Sequence, residues 1–377
     1  MAKKKQRRSE LTSATSNKVM VKKIVAKTSP PTKPFPIVCF GASAGGLEAF
    51  SIVLEFLRPD LGMAYVLIMH LSPTHKSSLV EILQPKTKMK IHTAKDGMEV
   101  KMNNIYVLPP NAYMSLVDGH LKVGPRSLAK IGNFAVDYFL VALASIYKNN
   151  SIGVILSGTA SDGTIGLKAI KAEGGISFVQ DDSAKFSGMP KSAYDSGYAD
   201  FILSPKNIAA ELAQLAKVPY TVGSEDKMEK KRARELKNEA EVLKKILLIV
   251  KEKTGMDFVH NYKPASIYRR VVRRSVLNKC KTLHDYHAIL ENKEKEVRDL
   301  YNDFLINVTS FFRDPDFYKS LETEILPATV RLRQSTDPIR IWVAGCATGE
   351  EAYSVAITVM RFLEQKDLST SFQIFAS

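Results

Sequence analysis

Three residue types that could form a hydrolytic relay recur beside glycine-rich turns in this chain. Ser43 lies in Gly41-Ala42-Ser43-Ala44-Gly45-Gly46, a G-x-S-x-G pattern between an apolar run and a stretch of helical spacing. A tight strand-to-helix turn of this kind holds a hydroxyl outward, glycines remove obstructing side chains, and the helix N-terminus offers N–H groups to an oxyanion. A phosphate-binding glycine turn, or simple close packing, explains an isolated match equally well. The spacing departs from G-x-G-x-x-G, which counts against a dinucleotide site.

A serine nucleophile needs a base, and the base needs an orienting carboxylate. His70 directly follows the apolar run Tyr65–Met69, and Asp162 follows Ile152–Leu156 within Ser157-Gly-Thr-Ala-Ser-Asp-Gly163. All three residues therefore fall just past the C-terminal ends of expected strands, where open parallel sheets collect their ligands. A structural histidine is the ordinary alternative for His70. With His75 and His92 nearby a metal is a second one, but no cysteine or acidic ligand pattern accompanies them, so no metal site is expected. The order Ser–His–Asp differs from the Ser–Asp–His order of α/β-hydrolases.

A second constellation lies downstream. Arg269, Arg270, Arg273 and Arg274 occupy one broad face of an expected helix. A solvated face or phosphate contacts would account for them, although few aromatics interleave as single-strand stacking requires. The segment Arg340–Ser354 then runs an apolar strand into Gly345-Cys-Ala-Thr-Gly349 and a helix, a loop shape that lets a nucleotide-type cofactor approach the backbone.

The elements that would position these residues follow from periodicity. Buried strands are expected at Pro36–Phe40, Ala64–Met69, Asn104–Leu108, Ile152–Leu156, Ile176–Val179 and Phe201–Leu203, separated by helices such as Leu47–Leu57 and Ile165–Ala172. That alternation predicts an α/β fold, a doubly wound parallel sheet covered on both faces. Near Lys217 the pattern changes to helices alone, including Ile267–Leu277 and Leu283–Leu290. From Pro338 strand and helix alternate again, through Ile339–Ala344, Glu350–Leu363 and Phe372–Phe375. One strand, one helix and half a second unit read as the start of a domain that is incomplete within this chain.

The expected organisation is a disordered basic arm at 1–34, a catalytic domain at 35–216, a linker helix at 217–241, a small all-α domain at 242–312 and the opening of a Rossmann-like domain at 313–377. Length supports two or three domains: the chain has 377 residues, 45% hydrophobic and 25% charged. Three widely spaced cysteines exclude a disulfide scaffold and fit a reducing cytoplasm. No apolar run approaches the ~20 residues of a membrane span, so insertion is not expected. The net charge of +15 resides in two segments, +9 in residues 1–34 and +9 in 227–300, while residues 35–226 are neutral. A neutral catalytic block and a slightly acidic end make a poor continuous nucleic-acid surface, so no nucleic-acid partner is expected.

With these residues in view, the first block resembles the catalytic domain of the chemotaxis receptor methylesterase, CheB, over roughly 35–215. The resemblance rests on Gly41–Gly46, on Met69-His-Leu-Ser-Pro73, on Tyr106-Val-Leu-Pro-Pro-Asn111, on Leu156–Gly163 and on Ala184-Lys-Phe-Ser-Gly-Met-Pro190. It departs at Ala44, where many members have Thr, and at Thr159, where stand-alone members have Met. It implies Ser43 as nucleophile, His70 as general base and Asp162 as its orienter, hydrolysing glutamyl methyl esters on chemoreceptors without a cofactor, with glutamine deamidation as a possible second activity. Only the basic arm precedes Phe35, so control by an N-terminal receiver domain within this chain is not expected.

Residues 242–377 resemble the chemotaxis receptor methyltransferase, CheR: its helical domain and the opening of its S-adenosylmethionine domain. The motifs are Asn307-Val-Thr-Ser-Phe-Phe-Arg-Asp-Pro315, Arg340–Ser354 and the arginine helix. By this resemblance Asn307, Thr309, Arg313 and Glu351 would contact S-adenosylmethionine, and Arg269, Arg270, Arg273 and Arg274 would dock the acidic methylation helices of a receptor. In that family an acidic residue gripping the ribose follows the segment matched by Phe375–Ser377, so methyl transfer by this chain alone is not expected. The rival expectation is a non-catalytic receptor-binding signalling module that works through the basic helix.

Overall fold

The computed structural model describes residues 35–69, 78–126, 134–217, 229–258, 264–305, 311–312, 315–332, 338–347 and 349–377. The chain divides into two compact units, residues 1–304 and 305–377.

The first unit begins with the expected parallel sheet. Its strands are β1 (Ile37–Ala42), β2 (Ala64–Met69), β3 (Lys90–Thr93), β4 (Asn104–Val107), β7 (Ser151–Ile155), β8 (Ile176–Gln180) and β9 (Phe201–Leu203), in the order β3-β4-β2-β1-β7-β8-β9. Every neighbouring pair is parallel. Strands buried on both faces carry apolar residues at every position, which is why β1 and β2 read as unbroken apolar runs. Successive side chains divide between two cores. Val38, Phe40, Leu67 and Val154 pack with helices α1 (Gly46–Phe56) and α5 (Pro205–Leu215) on one face. Ile37, Cys39, Ile68 and Ile155 pack with α2 (Ala135–Tyr147) and α3 (Thr164–Ala172) on the other. Helix α4 (Gly188–Asp195) precedes β9.

Two features escape the sequence reading. β3 is a four-residue edge strand with one buried position, too short to show a period. β5 (Ala112–Val117) and β6 (His120–Pro125) form an antiparallel hairpin, turned by Asp118 and Gly119 at φ 48 and 76. Both turn residues need positive φ, which Asp and Gly tolerate best.

After the sheet, the described residues of this unit are mainly helical: α6 (Glu229–Thr254), α7 (Pro264–Leu277), α8 (Leu283–Asn292) and α9 (Glu294–Phe304). α6 continues unbroken past residue 241, where the sequence suggested a linker giving way to a domain. A capping box opens α8, with Thr282 Oγ1 accepting from Asp285 N and the Asp285 carboxylate accepting from Thr282 N. Ile246, Val250, Val271, Tyr286, Leu290, Val297 and Leu300 are buried.

In the second unit β10 (Ile339–Val343) and β11 (Phe372–Ala376) pair in parallel, with α10 (Glu350–Gln365) between them in sequence. Val343, Val355, Val359 and Phe362 form its core with Leu326. Among the described residues no helix is long and apolar enough to cross a membrane.

Candidate active site

The strand-to-helix turn at Ser43 is built by backbone contacts. β1 lies between β2 and β7, and at its C-terminal end Ala42 pairs with Met69 and Gly41 with Ile155. Ser43 N donates to Ser157 O at 3.0 Å, and Gly46 N donates to Ser43 O at 2.9 Å, closing the turn into α1. Gly45, at φ 73, has the left-handed conformation the turn requires, and a Cβ there would fall 2.7 Å from Ser157 Oγ.

Ser157 braces the turn from the neighbouring strand. Its Oγ donates to Ala44 O at 2.9 Å and accepts from Phe186 N at 3.0 Å, while its N–H donates to Gln180 Oε1 at 2.8 Å. Gly158 lets the segments approach: a Cβ there would sit 3.0 Å from Ser43 Cβ and 2.2 Å from Met189 Sδ. Ser43 itself is half-buried at the start of the helix, beside N–H groups of a first turn that have no intrahelical acceptors.

Asp162 is 2% exposed, and its carboxylate is fixed by helix α2. Oδ2 accepts from Val136 N at 3.0 Å and Oδ1 from Asp137 N at 2.8 Å. These are N–H groups of the first turn, whose partial positive charge favours an anion. Asp137 answers from α2: its Oδ1 accepts from Gly163 N at 2.9 Å and Gly166 N at 2.7 Å, at the start of α3. Burial, partly offset by these N–H groups and reinforced by the charge of Asp162, pushes the Asp137 carboxyl up to about 6. Sequence reasoning missed Asp137. Its one visible signal was an acid in the first turn of an apolar helix, which says nothing of its partner.

Ser43 and Asp162 therefore both rise from the C-terminal edge of the central strands, as their spacing suggested. His70, the expected base, lies outside the described residues. His92 is used structurally, with Nε2 2.9 Å from Asn104 Oδ1 and its ring stacked on Tyr106. Among the described residues no group of His, Cys, Asp and Glu could hold a metal ion.

The family model described as CheB methylesterase matches residues 38–212. A Leptospira interrogans protein provisionally named a protein-glutamate methylesterase/protein-glutamine glutaminase is 34% identical over 179 residues, 46% of this chain and 92% of its own length. The chain belongs to the CheB methylesterase family. The protein-glutamate methylesterase/protein-glutamine glutaminase of Thermotoga maritima is 33% identical over 48% of this chain and 54% of its own length. The crystal structure of the Thermotoga maritima CheB methylesterase catalytic domain aligns with 48% of this chain and 100% of its own, at 31% identity and a TM-score of 0.46. Beyond the CheB region, the all-alpha domain of CheR methyltransferase matches residues 241–305 and its SAM binding domain residues 307–377. An uncharacterised 104.1 kDa protein of Rhodobacter capsulatus is 31% identical over 324 residues, 79% of this chain. The chain spans a third of that relative's length and about half of the Thermotoga one.

The arginine helix corrects an expectation. Arg269, Arg270, Arg273 and Arg274 do not form one open docking face, because each meets an acceptor within this chain. Arg273 is buried, with its guanidinium paired to Asp200 and Asp303 and its Nε donating to Gly175 O at 2.9 Å. Arg270, also buried, donates to Asp303 O. Arg274 takes Glu296 in a two-toothed grip at 2.8 and 2.5 Å and reaches Asp299 at 3.2 Å, and Arg269 lies 3.5 Å from Glu173. A charge count along one helix face cannot reveal the carboxylates that other segments bring to it.

In the CheR-like region, Asn307, Thr309 and Arg313 lie outside the described residues. Glu351 stands in the first turn of α10, behind a loop with Gly345 at φ 67 and Gly349 at φ 94. A Cβ at Gly345 would meet no atom within 4 Å, so the loop leaves room for a group to lie against its backbone. That fits a nucleoside-type cofactor.

Proposed function

We propose that this chain hydrolyses glutamyl methyl esters on chemoreceptor helices through Ser43, His70 and Asp162. The Ser43 hydroxyl attacks the ester carbonyl as His70 takes its proton. The tetrahedral intermediate expels methanol, which receives that proton, and water then releases the glutamate carboxylate by the reverse relay. A glutamine side chain would follow the same course with ammonia leaving. Backbone N–H groups near Ala44 would stabilise the oxyanion, each contributing roughly 3 kcal/mol in such sites.

The observation that carries this reading is the immobilised Asp162 carboxylate on the same sheet edge as the Ser43 turn. An orienter must be fixed before it can fix a base, and two N–H groups of one helix do that here. The relatives named for glutamate methylesterase and glutaminase activity support the choice of ester and amide substrates. The non-catalytic docking module loses ground, since Arg270 and Arg273 are buried among partners of this chain.

For the CheR-like region the fitting cofactor is S-adenosylmethionine, a methyl donor. The resemblance assigns its grip to Glu351 together with Asn307, Thr309 and Arg313.

Methanol release from methylated receptor tests the esterase. Ser43→Ala should lower kcat by several orders of magnitude, and an unchanged rate would refute the assignment.

A further inference from the structure

Asp137 and Asp162 cap one another's helices. Asp162, just before α3, accepts from the N–H groups of Val136 and Asp137 in α2. Asp137, inside the first turn of α2, accepts from Gly163, which precedes α3, and from Gly166 within it. The two residues form a closed ring of four hydrogen bonds between 2.7 and 3.0 Å, and neither is more than 7% exposed. Without the Asp137 acceptor, Gly163 and Gly166 would keep unsatisfied N–H groups, and the residue next to Asp162 would lose its tether.

The ring is also anchored to the sheet. Gly41 and Gly163 both approach Val136 so closely that a Cβ on either would fall within 3.1 Å of its side chain. Two adjacent buried carboxylates repel each other, and a neutral side chain could cap the same N–H groups without that repulsion. The ionisable group bearing on Asp137 is Asp162, which in turn bears on the buried Cys39 thiol of β1.

We propose that Asp137 is a positioning residue of the catalytic relay, locking the start of α3 and with it the direction of the Asp162 carboxylate. This rests on the reading of Ser43, His70 and Asp162 as the relay. Asp137 touches no substrate and acts only through Asp162.

The test compares wild type, Asp137→Ala and Asp137→Asn in two assays. One is methanol release, and the other is the rate at which a fluorophosphonate labels Ser43, followed by intact mass. Asp137→Ala should lower both kcat and the labelling rate about tenfold or more with KM nearly unchanged, the mark of lost transition-state orientation. Asp137→Asn keeps an oxygen acceptor and should recover most of both rates. A folded Asp137→Ala with wild-type rates would overturn the proposal, as would an Asn variant as impaired as the Ala one. Should the Ala variant not fold, the Asn variant decides, and an Asn variant that loses tenfold or more of either rate overturns it. Labelling of wild-type Ser43 without methanol release would sink the methyl-ester reading while leaving the positioning role measurable. Absence of labelling in wild type would sink both.

Discussion

Arg273 and Asp200 are joined in an ion pair of buried side chains that ties the helical segment to the parallel sheet, α7 supplying the cation and the residue directly before β9 the anion. Lys171 stands 3.7 Å from the same carboxylate, and Asp303 takes the other side of the guanidinium. Breaking a buried pair from one side strands the remaining charge, at a cost of roughly 3–5 kcal/mol. Arg273→Ala should therefore lower the urea midpoint of unfolding sharply. Arg269→Ala, which removes a partly exposed contact to Glu173, should lower the unfolding free energy by no more than about 1 kcal/mol.

The same pair predicts acid sensitivity. Burial alone would raise the Asp200 pKa, but the charges of Arg273 and Lys171 overcome it and hold the carboxyl below its ordinary value. A depressed carboxylate contributes stability above the pKa of the unfolded chain, and that contribution disappears as pH falls through the folded value. Stability of wild type should exceed that of Asp200→Asn at pH 7, and the gap should close below about pH 4. Thermal unfolding at a series of pH values checks this. A gap that widened on acidification would contradict the assignment.

Why the sheet was legible in the sequence and the arginine helix was not comes down to range. Phe40 and Leu67 are apolar because strands buried on both faces require it, and that requirement is written locally in every residue. Ser43 and Asp162 were legible because a strand end, a turn and a helix start are adjacent in sequence. The Asp137 and Arg273 partnerships span 26 and 73 residues, and no local period encodes them. β3 was missed for a different reason, since an edge strand of four residues presents one buried side chain and no pattern.

Asp137 carries the opposite linkage to Asp200. Its carboxyl is pushed up to about 6, chiefly by burial, above the ordinary value of 3.8. The folded chain therefore holds that proton more tightly than the unfolded chain. The associated stability is complete below the ordinary carboxylate range and is lost as pH rises through the folded value. Asp137→Asn escapes this loss while retaining an acceptor for Gly163 and Gly166. In thermal unfolding it should be more stable than wild type at pH 7.5, by on the order of 1–3 kcal/mol, with the difference vanishing near pH 4. A variant more stable yet no more active would separate the two roles of the carboxylate.

Gly158 offers a test of how tightly Ser43 is held. A methyl group there would fall 2.2 Å from Met189 Sδ and 3.0 Å from Ser43 Cβ, two contacts with different consequences. The Met189 side chain is fully buried, so the first contact is an overpacking defect of about 1–3 kcal/mol. The second presses on the Ser43 turn, and a displacement approaching 1 Å at a reacting atom can cost about a hundredfold in rate. Gly158→Ala should therefore lose both stability and kcat. Adding Met189→Ala opens space for the new methyl group on one side only. In a double-mutant cycle the two substitutions should couple favourably in unfolding free energy, because the cavity of one accommodates the excess of the other. They should couple little in kcat, because the Ser43 contact persists. If removing Met189 restored kcat as fully as it restored stability, the rate defect would belong to packing beneath the turn rather than to pressure on the nucleophile.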